Sequence, residues 1–90
     1  MIQIEIVTKE NCPKCDYIKG LFARNVVMVN YNFINYKLIP PDVIKKHNIT
    51  VTPTILVRNK NSGEILLKID KGMTMENIRK VIKQETGIEI

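Results

Sequence analysis

Ninety residues, 44% of them apolar and 26% charged, describe one globular domain with a modest core and exclude a disordered or fibrous chain. The net charge of +5 favours a solvated surface over a nucleic-acid patch, because 14 Lys and Arg are interleaved with 9 Asp and Glu and no basic run exceeds Lys45-Lys46; steering toward an acidic protein partner stays open. Met1-Ile2-Gln3-Ile4-Glu5 lacks the basic start and apolar stretch of a signal peptide, and no apolar run reaches membrane-spanning length, so a cytoplasmic monomer that binds neither membrane nor nucleic acid is expected.

Ile2, Ile4 and Ile6 alternate with Gln3 and Glu5 and lead into Val7, the pattern of a strand with one buried and one more polar face. That strand delivers the chain to Thr8-Lys9-Glu10-Asn11-Cys12-Pro13-Lys14-Cys15, which holds both cysteines. Pro13 has no N–H and a pre-set φ, so it favours the first helical position and makes Cys12 the N-cap. The unpaired N–H groups and dipole of that helix start, with Lys14 beside them, favour thiolate over thiol and should depress the Cys12 pKa. Cys15 falls on nearly the same helical face one turn deeper, within reach of the Cys12 sulfur yet hidden from solvent. Cys12 is thus the expected nucleophile and Cys15 the resolving thiol. Two other readings compete. A purely structural disulfide across so short a loop would restrain little of the unfolded chain. A metal or cluster module, with only Cys12, Cys15, His47 and carboxylates to draw on, would have to share its metal between two chains in a dimer.

From Pro13 to Arg24, Ile18, Leu21 and Phe22 recur at helical spacing, and Asn25 is a plausible stop. Val26 to Phe33, rich in β-branched and aromatic residues, reads as a second strand, parallel to the first through a right-handed crossover. Pro41 opens a short helix running to about His47, with Val43 and Ile44 facing in, and His47 reads as a boundary residue rather than a ligand or base. Ile49 to Val57 is a β-prone run broken by Pro53, which marks a strand's first residue or a special turn, so a buried strand should begin right after it. Asn59 to Gly63 forms a hairpin loop, and Glu64 to Ile69 returns as an antiparallel edge strand with Lys68 and Lys71 toward water. Gly72 breaks the chain, and Thr74 caps a last helix with Ile78, Val81 and Ile82 at core spacing. Gly87 ends that helix and Ile88-Glu89-Ile90 should be a frayed tail. The order is β-α-β-α-β-β-α, an α/β domain spanning residues 1–90 with a four-stranded mixed sheet and three helices flanking it.

Cys12-Pro13-Lys14-Cys15 after a strand, Pro53 before a later buried strand, and a closing hairpin and helix resemble the thioredoxin superfamily in its short, glutaredoxin-sized form, over essentially the whole chain. The resemblance implies a thioredoxin-like fold and a dithiol–disulfide oxidoreductase of electron transport and cell redox homeostasis, with no cofactor beyond its own Cys12–Cys15 disulfide. It also implies that Pro53 is cis and sits against the sulfurs, while Thr52 offers backbone hydrogen bonds to an extended substrate. Lys9-x-x-Cys12-Pro13-x-Cys15 resembles glutaredoxins, where the lysine meets a glutathione carboxylate; an exposed loop lysine is the plain alternative. Ile49-x-x-x-Pro53-Thr54-Ile55-Leu56-Val57 resembles the thioredoxin version of the proline loop, and Gly72 matches a glycine before the last helix in both groups.

Two departures stand out. Met73-Thr74-Met75 replaces the second glycine and the acidic or hydroxyl residues of glutaredoxins. Asn11 and Ile6 replace a tryptophan and a buried aspartate of thioredoxins, which leaves the Cys15 proton to another base such as water. Tyr17 is expected to pack on the rim of the site. The expected substrate contacts are Lys9, Pro13, Lys14, Thr52, Pro53, Gly72, Met73 and Thr74, with Met73 and Met75 giving soft apolar contact suited to a protein surface. A protein disulfide is the expected substrate and a thioredoxin-reductase-type flavoenzyme or protein dithiol the expected donor, with glutathione the alternative co-substrate.

Overall fold

A computed structural model describes residues 1–90. Ile2–Thr8 forms strand β1, Pro13–Arg24 helix α1, Tyr31–Asn35 strand β2, Pro41–Lys46 helix α2, Thr54–Asn59 strand β3, Ile65–Ile69 strand β4 and Met75–Thr86 helix α3. One four-stranded sheet runs in the order β2-β1-β3-β4. β1 is parallel to β2 and antiparallel to β3, and β4 is antiparallel to β3, so the mixed sheet and its flanking helices are as the element order predicts.

The period of two along β1 and β3 sorts their side chains onto two faces. Ile2, Ile4 and Ile6 of β1, with Ile55 and Val57 of β3, meet Ile18, Leu21 and Phe22 of α1 and Met75, Ile78 and Ile82 of α3 in the main core. Each fully buried isoleucine contributes about 1.5–3 kcal/mol. Val7 and Leu56 point the other way, where Ile39 and Ile49, with Val43 and Ile44 of α2, make a smaller core. That second face is partly polar: Arg58 Nη2 lies 3.1 Å from Glu5 Oε1, and Arg58 Nη1 donates to the Gly63 carbonyl at 2.8 Å, tying the hairpin to β1. No helix is long and apolar enough to cross a membrane.

Three stretches differ from the sequence expectation. The run from Val26 predicts a strand, yet β2 starts only at Tyr31. Val26 and Met28 are 77% and 75% exposed while Val27 and Val29 pack on the main core. The Met28 N–H donates to the Ile90 carbonyl at 2.9 Å, so the run is a connection laid along the rim of the core rather than a paired strand. The same bond corrects the tail: Ile90 is 6% exposed in the main core, Ile88 packs against it, and Lys83 Nζ donates to Glu89 at 2.7 Å. Alternating apolar residues hold this end down where end fraying was expected. A one-turn 3-10 helix at Tyr36–Leu38, with the Asn35 side chain accepting the Lys37 N–H at 2.9 Å, joins β2 to the segment before α2 and carried no sequence signal strong enough to predict it.

Candidate active site

Thr8 ends β1 buried, and Asn11 then turns the chain with φ +53°, a left-handed conformation that asparagine tolerates better than most residues. Cys12 follows as the N-cap of α1 in extended conformation, with Pro13 in the first turn, as the sequence predicts. The Cys15 N–H donates to Cys12 Sγ at 3.2 Å, so the sulfur takes the place a cap hydroxyl would hold. The two cysteines are joined as a disulfide, their Cα atoms 5.1 Å apart. Cys12 is 7% exposed and Cys15 only 1%, which makes Cys12 the sulfur that an incoming group meets first.

Opposite them runs the segment before β3. The Thr52–Pro53 peptide is cis, and Pro53 is buried. Thr54 Oγ1 donates to the Val51 carbonyl at 2.6 Å and fastens this turn. Thr52 Oγ1 lies 3.6 Å from Cys12 Sγ and the Thr52 carbonyl 3.9 Å from it. A disulfide sulfur has no hydrogen, so in the oxidised form the hydroxyl is the donor in the first contact; the carbonyl gains a donor only when Cys12 becomes a thiol.

Two hollows open beside Thr52, the residue that faces Cys12 Sγ. The larger, about 450 Å³, is lined by Lys14, Tyr17, Val51, Thr52, Pro53, Asp70, Lys71, Gly72 and Met73. The smaller, about 110 Å³, is lined by Lys9, Tyr36, Thr50, Val51 and Thr52. A further hollow of about 410 Å³ on α3, between Arg79, Lys80, Lys83 and Glu89, shares no residue with either and is lined by no cysteine.

Of the expected site residues, Cys12, Cys15, Thr52 and Pro53 are brought together, Lys14, Gly72 and Met73 line the larger hollow, and Lys9 lines the smaller one. Pro13 is exposed at the helix start and lines neither hollow. Thr74 also lines neither: its Oγ1 accepts the Asn77 N–H at 3.1 Å as the cap of α3. Its own N–H donates to the Gly72 carbonyl at 2.8 Å, so two donors at this helix start already have partners. Met75, expected at the surface beside Met73, is buried in the main core as the first residue of α3. Ile6 is also fully buried there, so β1 brings no carboxylate beneath the cysteines.

Sequence reasoning missed Tyr36, Thr50, Val51 and Asp70 as lining residues and read Lys71 only as an edge lysine. Val51 and Thr50 directly precede Thr52, and Asp70 and Lys71 directly precede Gly72; adjacency to those two positions was the available signal.

Neither a protein-family model nor a curated protein sequence matches the chain. Among solved structures, thioredoxin f2 of Chlamydomonas reinhardtii is similar with a TM-score of 0.71 at 14% identity, over 98% of this chain and 82% of that one. A thioredoxin from Thermus thermophilus is similar with a TM-score of 0.66 at 13% identity, over 92% of this chain and 72% of that one. Thioredoxin 1 of Thermosipho africanus gives 0.53 at 15% identity, over 91% of each chain. With the β2-β1-β3-β4 sheet, the disulfide at the start of α1 and the cis proline opposite it, these likenesses show that the chain has the thioredoxin-like fold.

Proposed function

We propose that this chain is a dithiol–disulfide oxidoreductase that reduces protein disulfides. The observation that carries the reading is the unequal exposure of two bonded sulfurs at a helix start, Cys12 outermost and Cys15 beneath it. In the reduced protein the Cys12 thiolate is stabilised by the Cys15 N–H, the Thr52 hydroxyl and the positive end of α1. It attacks one sulfur of a substrate disulfide, forming a mixed disulfide and expelling the first substrate thiolate. Cys15 loses its proton to water and attacks Cys12 Sγ, expelling the second thiolate and leaving oxidised Cys12–Cys15. Two electrons pass from the protein dithiol to the substrate.

Cys12→Ser should abolish insulin disulfide reduction, whereas Cys15→Ser should accumulate a covalent substrate adduct, seen by mass spectrometry and released by dithiothreitol. Insulin reduction by Cys12→Ser at the parent rate would sink the assignment.

A second reading, glutathione as co-substrate, is favoured by Lys9 in the smaller hollow beside Thr52, where a carboxylate of a bound tripeptide would meet it. The occupied N–H groups of Thr74 and Asn77 weigh the other way, toward a protein dithiol or flavoenzyme as donor. For the metal reading, no group of three His, Cys, Asp or Glu side chains is placed to hold an ion within one chain, so ligands would have to come from a second copy.

A further inference from the structure

We infer that the site selects protein disulfides whose cysteine is flanked on both sides by carboxylates; this rests on the oxidoreductase reading above. The two hollows share Val51 and Thr52, and Cys12 Sγ lies 3.6 Å from Thr52 Oγ1. A substrate sulfur in reach of Cys12 therefore lies beside Thr52, which lines both hollows, and the chain that carries it can extend into each. One hollow holds Lys9 and the other Lys14 and Lys71. All three lysines are exposed, and none is in an ion pair; the pairs this chain forms are Arg58–Glu5, Lys68–Asp70 and Lys83–Glu89. Asp70 is the sole carboxylate lining either hollow, and Lys68 Nζ stands 3.6 Å from its Oδ2. An incoming chain thus meets unpaired positive charge in each hollow, with apolar contact from Val51, common to both, and from Tyr17 in the larger. Such complementarity acts mainly on the association rate and fades as salt screens it.

The test is a single-turnover comparison. Protein reduced and freed of reductant is mixed at low ionic strength with the symmetric disulfide of Ala-Asp-Cys-Asp-Ala, with that of Ala-Lys-Cys-Lys-Ala, or with glutathione disulfide. Each turnover consumes one peptide disulfide and the two protein thiols and yields oxidised Cys12–Cys15 with two peptide thiols, counted by chromatography after acid quench. Each rate is divided by the rate with dithiothreitol, which removes the peptides' own reactivity. The acidic peptide should lead the basic one by about tenfold or more, a lead that shrinks at high salt. Lys9→Glu, Lys14→Glu and Lys71→Glu combined should reverse the order, whereas Lys60→Glu in the hairpin, the same change of charge per site, should leave it in place. Equal normalised rates for the two peptides overturn the inference, as does glutathione disulfide outrunning the acidic peptide. Reduction of none of the three disulfides overturns the oxidoreductase reading itself, an outcome distinct from equal rates.

Discussion

At the start of α1, Cys12 Sγ accepts the N–H three residues on at 3.2 Å; at the start of α3, Thr74 Oγ1 accepts its equivalent at 3.1 Å. A left-handed residue leads into each, Asn11 with φ +53° and Gly72 with φ +64°. Beyond that the two part. α3 opens on Met75, buried in the main core, whereas α1 opens on Pro13, exposed and without an N–H of its own. The hydroxyl cap is a good acceptor with nothing further to do, while the sulfur cap is a weak acceptor and also the atom that reacts. One helix start anchors the fold and the other is left open. Both caps are extended, and the chemical difference lies in what covers the first turn and in one atom of the cap.

Substitutions that break the anchored start should cost stability in a graded way. Gly72→Ala has the largest expected effect: the backbone is left-handed there, and a Cβ would run into the Asn77 side-chain nitrogen that donates to the Gly72 carbonyl. A loss of about 1–3 kcal/mol is expected in urea unfolding. Thr74→Ala removes only the cap and should cost about 1 kcal/mol, mostly restored by Thr74→Ser. At the open start the corresponding change is chemical. Thr52→Val deletes the hydroxyl facing Cys12 Sγ and should raise the Cys12 thiol pKa, read from the pH dependence of iodoacetamide alkylation of the reduced protein. An unshifted alkylation profile would show that the hydroxyl gives the sulfur nothing.

The smallest effect belongs to the far end of α3. Glu89 holds Lys83 above the usual lysine range, by its hydrogen bond first and its charge second, and Lys83 holds Glu89 below the usual carboxylate range in the same way. The Glu89 share of stability is present above the ordinary carboxylate range and is lost as pH falls through its lowered value. The Lys83 share is present below the ordinary lysine range and is lost as pH rises through its raised value. Lys83→Met should therefore differ from the parent chain only between those limits, and slightly, because both groups lie in water. Urea midpoints taken across the pH range would show it.

What could be read from the sequence was what local chemistry dictates. Pro13 after Cys12, Thr74 before a periodic segment, Gly87 after it and Pro53 ahead of an apolar run each constrain their neighbours directly, and α1, α3 and β3 stand where those signals put them. The dithiol was legible for the same reason. Legibility ended where a distant partner decides. Val26 to Val29 have strand propensity, but β1 takes Ile4 opposite Tyr31 and the Met28 N–H goes to Ile90, a residue that looked like a loose end. Met75 lies two residues beyond the half-buried Met73 in sequence, yet as the first residue of α3 it sits inside the main core. The rim of the site shares that character: Lys9 precedes α1, Lys14 lies in its first turn and Lys71 lies between β4 and α3, and only the fold of the sheet brings all three around Thr52.

Cys12 touches a residue 40 positions further along. A nascent chain emerging from its N-terminal end therefore presents both thiols well before the wall that shelters them exists. Until β3 zips against β1, the pair sits on bare peptide, open to any passing oxidant or to exchange with a neighbour's disulfide. Once the sheet closes, Cys15 is 1% exposed, so the half-life of its thiol toward a bulky alkylating reagent becomes a clock for completion of the fold.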